Sequence, residues 1–211
     1  MTNVAALDEL DTIDWTGLVH AYGPAGDVPD LIRALVSPDA AARASALAEL
    51  GHNIYHQGTI YEATAYAVPF LIAILNSPDT PDKAMVAALL AFIASGRGYF
   101  EVHARIGSWR GILEKQGKTL EAELERERIV TASVRHAAQA ALPLLIPFLA
   151  DKDPGIRSCV AEALAAYPEL RMTHLPLLRS ALATETDESV RECIAECIGQ
   201  LTSGSEGGPS S

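Results

Sequence analysis

The sequence predicts an all-α fold, an α-solenoid of about four helical hairpins with one helical insertion. Three observations point there. Apolar residues make up 49% of the chain and aromatic residues only 6%, so the core must be built from Ala, Leu, Ile and Val, which suits closely approaching helices. Apolar positions recur at helical spacing in one segment after another. The turn signals recur as well, since Ser37-Pro38-Asp39 returns forty positions later as Ser77-Pro78-Asp79.

Taken in order, the acidic start MTNVAALDELDTIDW has neither a cationic nor an apolar leader region, so no secretory signal is expected. Asp14 is the expected N-cap of a short helix over 14–22, WTGLVHAY, with Gly23 as its stop. Asp27 then caps VPDLIRALV, with Pro29 in the first turn and Leu31, Ile32, Leu35 and Val36 at helical spacing. Ser37-Pro38-Asp39 ends that helix and starts AAARASALAEL, where Ala46, Leu47 and Leu50 share a face that Ile54 continues. Thr59 to Glu62 spells T-x-x-E, a capping box, ahead of AYAVPFLIAILN. After Thr80-Pro81 a further helix turns Val86, Leu89, Leu90 and Ile93 inward and ends at Gly96. From about 97 to 130 an insertion interrupts the repeat, and from Lys118 its charges alternate in sign, as on a solvated helix running into the third unit. LPLLIPFLADKDPGIRSCVAEALAAY and LPLLRSALATETDESVRECIAECIGQL then restate the hairpin twice. A single domain over 1–202 is expected, followed by a tail, 203–211, with the composition of disorder.

Three of the second helices share a register: Asp39 precedes Arg43, Asp153 precedes Arg157 and Asp187 precedes Arg191, each by four residues. Such i, i+4 pairs at helix starts are expected to be structural, the Asp offering an N-terminal carboxylate and the pair a surface ion pair. The second unit departs from the register, with Lys83 four residues after Asp79. The proline-bearing helix, the Asp turn and the V/I-Arg helix together resemble the HEAT repeat over most of residues 27–201. HAYGPAGDVPDLIRALVSPD and NIYHQGTIYEATAYAVPFL further resemble bacterial proteins with HEAT-like repeats of the PBS-lyase type. The resemblance implies a right-handed solenoid of the kind that serves as a binding surface or scaffold and occasionally as an enzyme.

Several function classes are disfavoured. The formal net charge of −11 repels phosphate backbones and argues against nucleic acid. The apolar runs, such as 137–150, are interrupted by Pro and fall short of the roughly 18 residues of a membrane span. Cys159, Cys193 and Cys197 lie inside helical patterns and read as reduced, buried thiols, in keeping with a cytoplasmic location. Neither a nucleophile elbow nor a Gly-rich phosphate loop is present, so no catalytic residue, cofactor or metal is expected. The leading expectation is a non-catalytic scaffold that binds a protein partner on its concave face.

The candidate surface is centred on Gly51–Phe70, the only stretch where His, Gln, Glu and three Tyr crowd together. It comprises His52, Tyr55, His56, Gln57 and Tyr61, joined from the insertion by Arg97, Tyr99, His103, Arg105 and Trp109. Eight of the ring-bearing Phe, Tyr and Trp residues fall between 55 and 109, and aromatics with a polar handle suit recognition. Phe70 and Phe92 read instead as core. Two alternatives stand beside this. His52 and His56, at i, i+4 with Glu62 soon after, form a possible divalent-metal set, or with Tyr61, His103 and Arg97 a lyase-like ligand pocket. Arg97, Arg105 and Arg110 beside Trp109 could hold an anion or stacked bases, as in HEAT-like DNA glycosylases.

Overall fold

The structure is a computed structural model describing residues 4–103 and 109–203, apart from the side chains of Trp109 and Arg110. It is mostly helical. Val4 to Gly17 form two 3-10 segments, Ala5–Thr12 and Trp15–Gly17, which bury Leu7, Leu10 and Trp15. Asp14 caps the second, accepting a hydrogen bond from the Gly17 amide at 3.3 Å. The helix expected over 14–22 is not formed. Val19–His20 (β1) and Gly23–Pro24 (β2) pair as an antiparallel hairpin instead, because His20 and Asp27 pull this segment back on itself, as described below.

Two helical pairs follow. Val28–Ala34 (α1) packs against Ala40–Ile54 (α2). A second hairpin, Tyr55–His56 (β3) with Thr59–Ile60 (β4), leads into Glu62–Asn76 (α3) and Lys83–Ala94 (α4). The stretch read as an insertion holds Tyr99–His103 (α5), Trp109–Lys115 (α6) and the start of Leu120–Gln139 (α7). α7 lies along α3 and touches α4. Leu142–Leu145 (α8) and a 3-10 turn, Ile146–Ala150, continue it after a bend of 53°, just past which Pro143 can donate no backbone hydrogen bond. Pro154–Ala165 (α9), Arg171–Thr184 (α10) and Glu188–Ser203 (α11) complete the chain.

The helices form two rows. In one, α1, α3 and α7 follow each other; in the other, α2, α4, α9 and α11 do. The core runs between the rows as one continuous cluster from Val4 to Leu201, built on Ala, Leu, Ile and Val as the composition requires. Buried hydroxyls and a histidine close the helix ends, where carbonyls lack intrahelical partners. Thr64 donates to the Ile54 carbonyl at 2.6 Å, Thr80 to the Ile74 carbonyl at 2.6 Å, and His174 Nδ1 to the Leu164 carbonyl at 2.7 Å.

The Asp–Arg register is structural, and its aspartates supply the expected helix-start carboxylates, but the arginines do not pair with them. Asp39 and Asp153 cap α2 and α9, accepting from the Ala41 and Gly155 amides at 2.9 and 2.8 Å. The arginines reach elsewhere. Arg43 donates to the Ser37 and Pro38 carbonyls and to Asp82 of the next pair at 2.7 Å. Arg157 does the same with the Asp151 and Lys152 carbonyls and with Glu185, at 2.6 and 2.8 Å. Arg191 closes the Leu182 and Glu185 carbonyls. Each arginine therefore plugs the turn before its own helix, and the first two also tie that turn to the following pair.

Among the described residues no single helix is long and apolar enough to cross a membrane. All three cysteines are free thiols; Cys159 and Cys197 are buried and Cys193 half-buried. Burial pushes the Cys159 thiol up to about 12.

Candidate functional site

The expected surface divides into a polar hairpin cluster and an apolar groove. The cluster comes first in the chain. The β3–β4 connection is the two-residue loop Gln57-Gly58, with φ of 51° and 88°, the left-handed pair that a type I′ turn requires. Gln57 is exposed at its tip. The strands are pinned from below by Thr59, fully buried, whose hydroxyl donates to the His56 carbonyl at 2.6 Å. Its one proton being used there, Thr59 accepts from the Tyr61 hydroxyl at 2.7 Å. The Arg97 backbone extends this small sheet, exchanging bonds with Gly58 and Ile60 at 3.0 Å each, while its side chain is exposed.

The β1–β2 hairpin docks beside it. His20 is only 7% exposed. Its Nδ1 accepts from the Tyr22 amide at 3.0 Å, so the proton sits on Nε2 and is donated to Asp27 at 3.0 Å. Asp27 also accepts from the Asn53 amide group at 2.7 Å. The expected capping role of Asp27 at α1 is thus replaced by a bridge between the hairpin and the end of α2. Above it the exposed Tyr22 meets His56, ring to ring at 5.3 Å with its hydroxyl 3.2 Å from Nδ1. Beneath the exposed Gln57 and Arg97 side chains, His20, Tyr22, Asp27, Asn53, His56, Thr59 and Tyr61 each engage another residue of the two hairpins or of the end of α2, which makes the cluster a clamp between two hairpins rather than an open site.

The expected T-x-x-E box is also replaced. α3 begins at Glu62, and Thr64 closes its first turn by accepting from the Tyr61 amide at 2.9 Å. Glu62 instead receives Arg126 of α7 at 2.7 Å. The His52/His56/Glu62 set is therefore dispersed. α2 ends at Ile54, His56 turns toward Tyr22, and Glu62 faces α7.

Tyr61 and Tyr99 line a shallow cleft of about 320 Å³ between the β3–β4 hairpin, α5 and α7. Its charged groups are already matched: Glu127 caps α5 through the Phe100 and Glu101 amides, at 2.6 and 3.2 Å, and Lys118 meets Glu123 at 3.3 Å. His103 stacks on Tyr99 at 4.4 Å and bonds its carbonyl. Arg105 and the side chain of Trp109 lie outside the described residues.

The groove is the larger feature, about 700 Å³, and it lies between α2 and α4. In the second row α4 packs closely on α9 and α9 on α11, whereas α2 and α4 meet only briefly. Leu47, Ala44 and Gly51 form one wall and Met85, Leu89 and Phe92 the other. His52 and Tyr55 stand at one end, and Arg43 with Asp82 at the other. Tyr55 stacks on Phe92 with centroids 5.6 Å apart and planes 20° apart; burial pushes the Tyr55 phenol up from its usual range. Met85 is 49% and Phe92 41% exposed. Phe92 is therefore part of the open wall, not of the core as expected, whereas Phe70 is buried against Trp15. The sequence carried a signal for this. After Lys83, α4 reads AMVAALLAFIA without a polar residue, and a helix apolar on every side requires a covering on every side.

Residues 120–199, from α7 almost to the end of α11, match the family profile described as HEAT repeats. No curated protein matches the chain.

Proposed function

We propose that this HEAT-repeat protein is a non-catalytic interaction module that receives a protein partner along its row of second helices, in the groove between α2 and α4. HEAT repeats generally mediate protein–protein interaction. On this reading the two rows are a right-handed solenoid of about four hairpins, and the second row is its concave face. One observation carries the proposal: an open, apolar groove about 700 Å³ in volume, with Met85 and Phe92 held in solvent on its wall. Apolar patches of this kind mark interaction sites in soluble proteins. His52 and Tyr55 belong to the site; His56, Gln57 and Tyr61 act as the hairpin support that fixes the end of α2.

In-cell photo-crosslinking tests this directly. A benzophenone side chain at position 85 should give a discrete protein adduct, while the same group at Met172, 80% exposed on α10, should give none. Equal labelling from both positions, or no adduct from position 85, would remove the basis of the reading.

A further inference from the structure

The chemistry of the groove also specifies its occupant. Its long walls are formed by apolar side chains, and its polar side chains stand at the two ends, Arg43 and Asp82 at one and His52 and Tyr55 at the other. A segment lying in such a channel finds no donors or acceptors for its own backbone, so it must satisfy them internally. A helix does this; an extended strand does not. The dimensions agree. α4, with 12 residues, is about 18 Å long, room for about three helical turns, and Met85, Leu89 and Phe92 are spaced to meet a stripe of the same period.

Charge completes the description. Residues 1–103 hold twelve Asp or Glu against four Lys or Arg, a net of −8 out of the chain's −11. Two of those cations are already matched, Arg43 by Asp82 and Arg33 by Asp11 and Asp30. The half of the chain that carries the groove is therefore acidic in sum, although the groove's own charged residues, Arg43 and Asp82, are paired, and a net negative charge attracts cationic segments and repels acidic ones over long range.

Resting on the interaction reading above, we infer that the groove between α2 and α4 binds an amphipathic helix of a partner protein, with an apolar stripe facing α2 and α4 and Lys or Arg on its flanks. Binding would insert the helix beside α4, extending the close packing that α4, α9 and α11 already share.

The probe is a designed 18-residue amphipathic peptide with a Leu stripe and Lys flanks, labelled for fluorescence anisotropy against the full chain. Two analogues accompany it, one with Glu for every Lys and one with a central Pro that breaks the helix. Both analogues should bind at least tenfold more weakly. Met85→Glu should weaken the Lys peptide at least tenfold, although it adds a negative charge; Met85 is exposed, and an unchanged circular dichroism melt shows that the fold is kept. Equal binding of the Pro analogue, or equal binding to the Met85→Glu chain, overturns the proposal. So does a dimer in light scattering that Met85→Glu dissolves, because the occupant is then a second copy. A protein adduct at position 85 together with a flat peptide series overturns the helix while leaving the interaction reading intact.

Discussion

Arg157 shows how much a single position does between repeats. Its guanidinium holds two carbonyls of the preceding turn and, through Glu185, the turn of the next pair. The two side chains are 14% and 5% exposed. The hydrogen bonds from Arg157, and then those from the Asp187 and Thr186 amides, hold the Glu185 carboxyl down at about 2. The sign of the linkage follows. A carboxyl depressed in the folded state binds fewer protons there than in the unfolded chain, so its stabilisation is complete above its unfolded value of about 4.3 and is lost as pH falls toward 2. Glu185→Gln should flatten the acid limb of stability between about pH 4.5 and 2, measured by urea unfolding across that range. Arg157→Met leaves Glu185 short of its main partner and is expected to cost about 3 kcal/mol at pH 7. If the variant's acid limb matches the wild type's, the bridge does not contribute as described. Arg135 works similarly on a smaller scale, lying 4.0 Å over the Tyr167 ring and donating to the Ala166 carbonyl and Glu169. The sequence displayed the arginine periodicity but not its partners, because Asp82 and Glu185 lie 39 and 28 residues from the arginines they meet.

At the scale of elements, the helices from α1 to α4 were legible, while the short strands, one of them inside the helix expected over 14–22, were not. α1, α2, α3 and α4 begin and end close to where apolar spacing and the Ser-Pro-Asp turns place them. The two hairpins escaped because two-residue strands carry no period, and because their contacts are long-range: Asp27 with Asn53, Tyr22 with His56. Read alone, H-x-x-x-H looks like a helical metal pair; the left-handed turn at Gln57-Gly58 places His56 on a strand instead. Gly58→Val tests that turn. At φ 88° a β-branched side chain is strained, and the loss should be about 1–3 kcal/mol. Chemical unfolding should show it, together with weaker protection of the Ile60 and Arg97 amides in hydrogen exchange. Unchanged protection would mean that the hairpin does not depend on its primed turn. Gly96 has a related constraint, since a methyl there would run into Ile60.

For the whole molecule, the two rows share one core, yet the second row is closed from α4 to α11 and parted between α2 and α4. That parting exposes Met85 and Phe92, and it coincides with the half of the chain that carries most of the negative charge. Composition predicted the all-α class and the acidic surface. It did not reveal the groove, since that depends on how far apart two helices lie. The methionines offer a direct reading of it. Of the three, Met85 lies on the groove wall and Met172 on α10, outside it. In a chain carrying 13C-methyl methionine, titration with the cationic amphipathic peptide should shift and broaden the Met85 methyl signal and leave Met172 in place. A Met85 signal that stays put at saturation, or one that moves no more than Met172, contradicts the groove as the binding site.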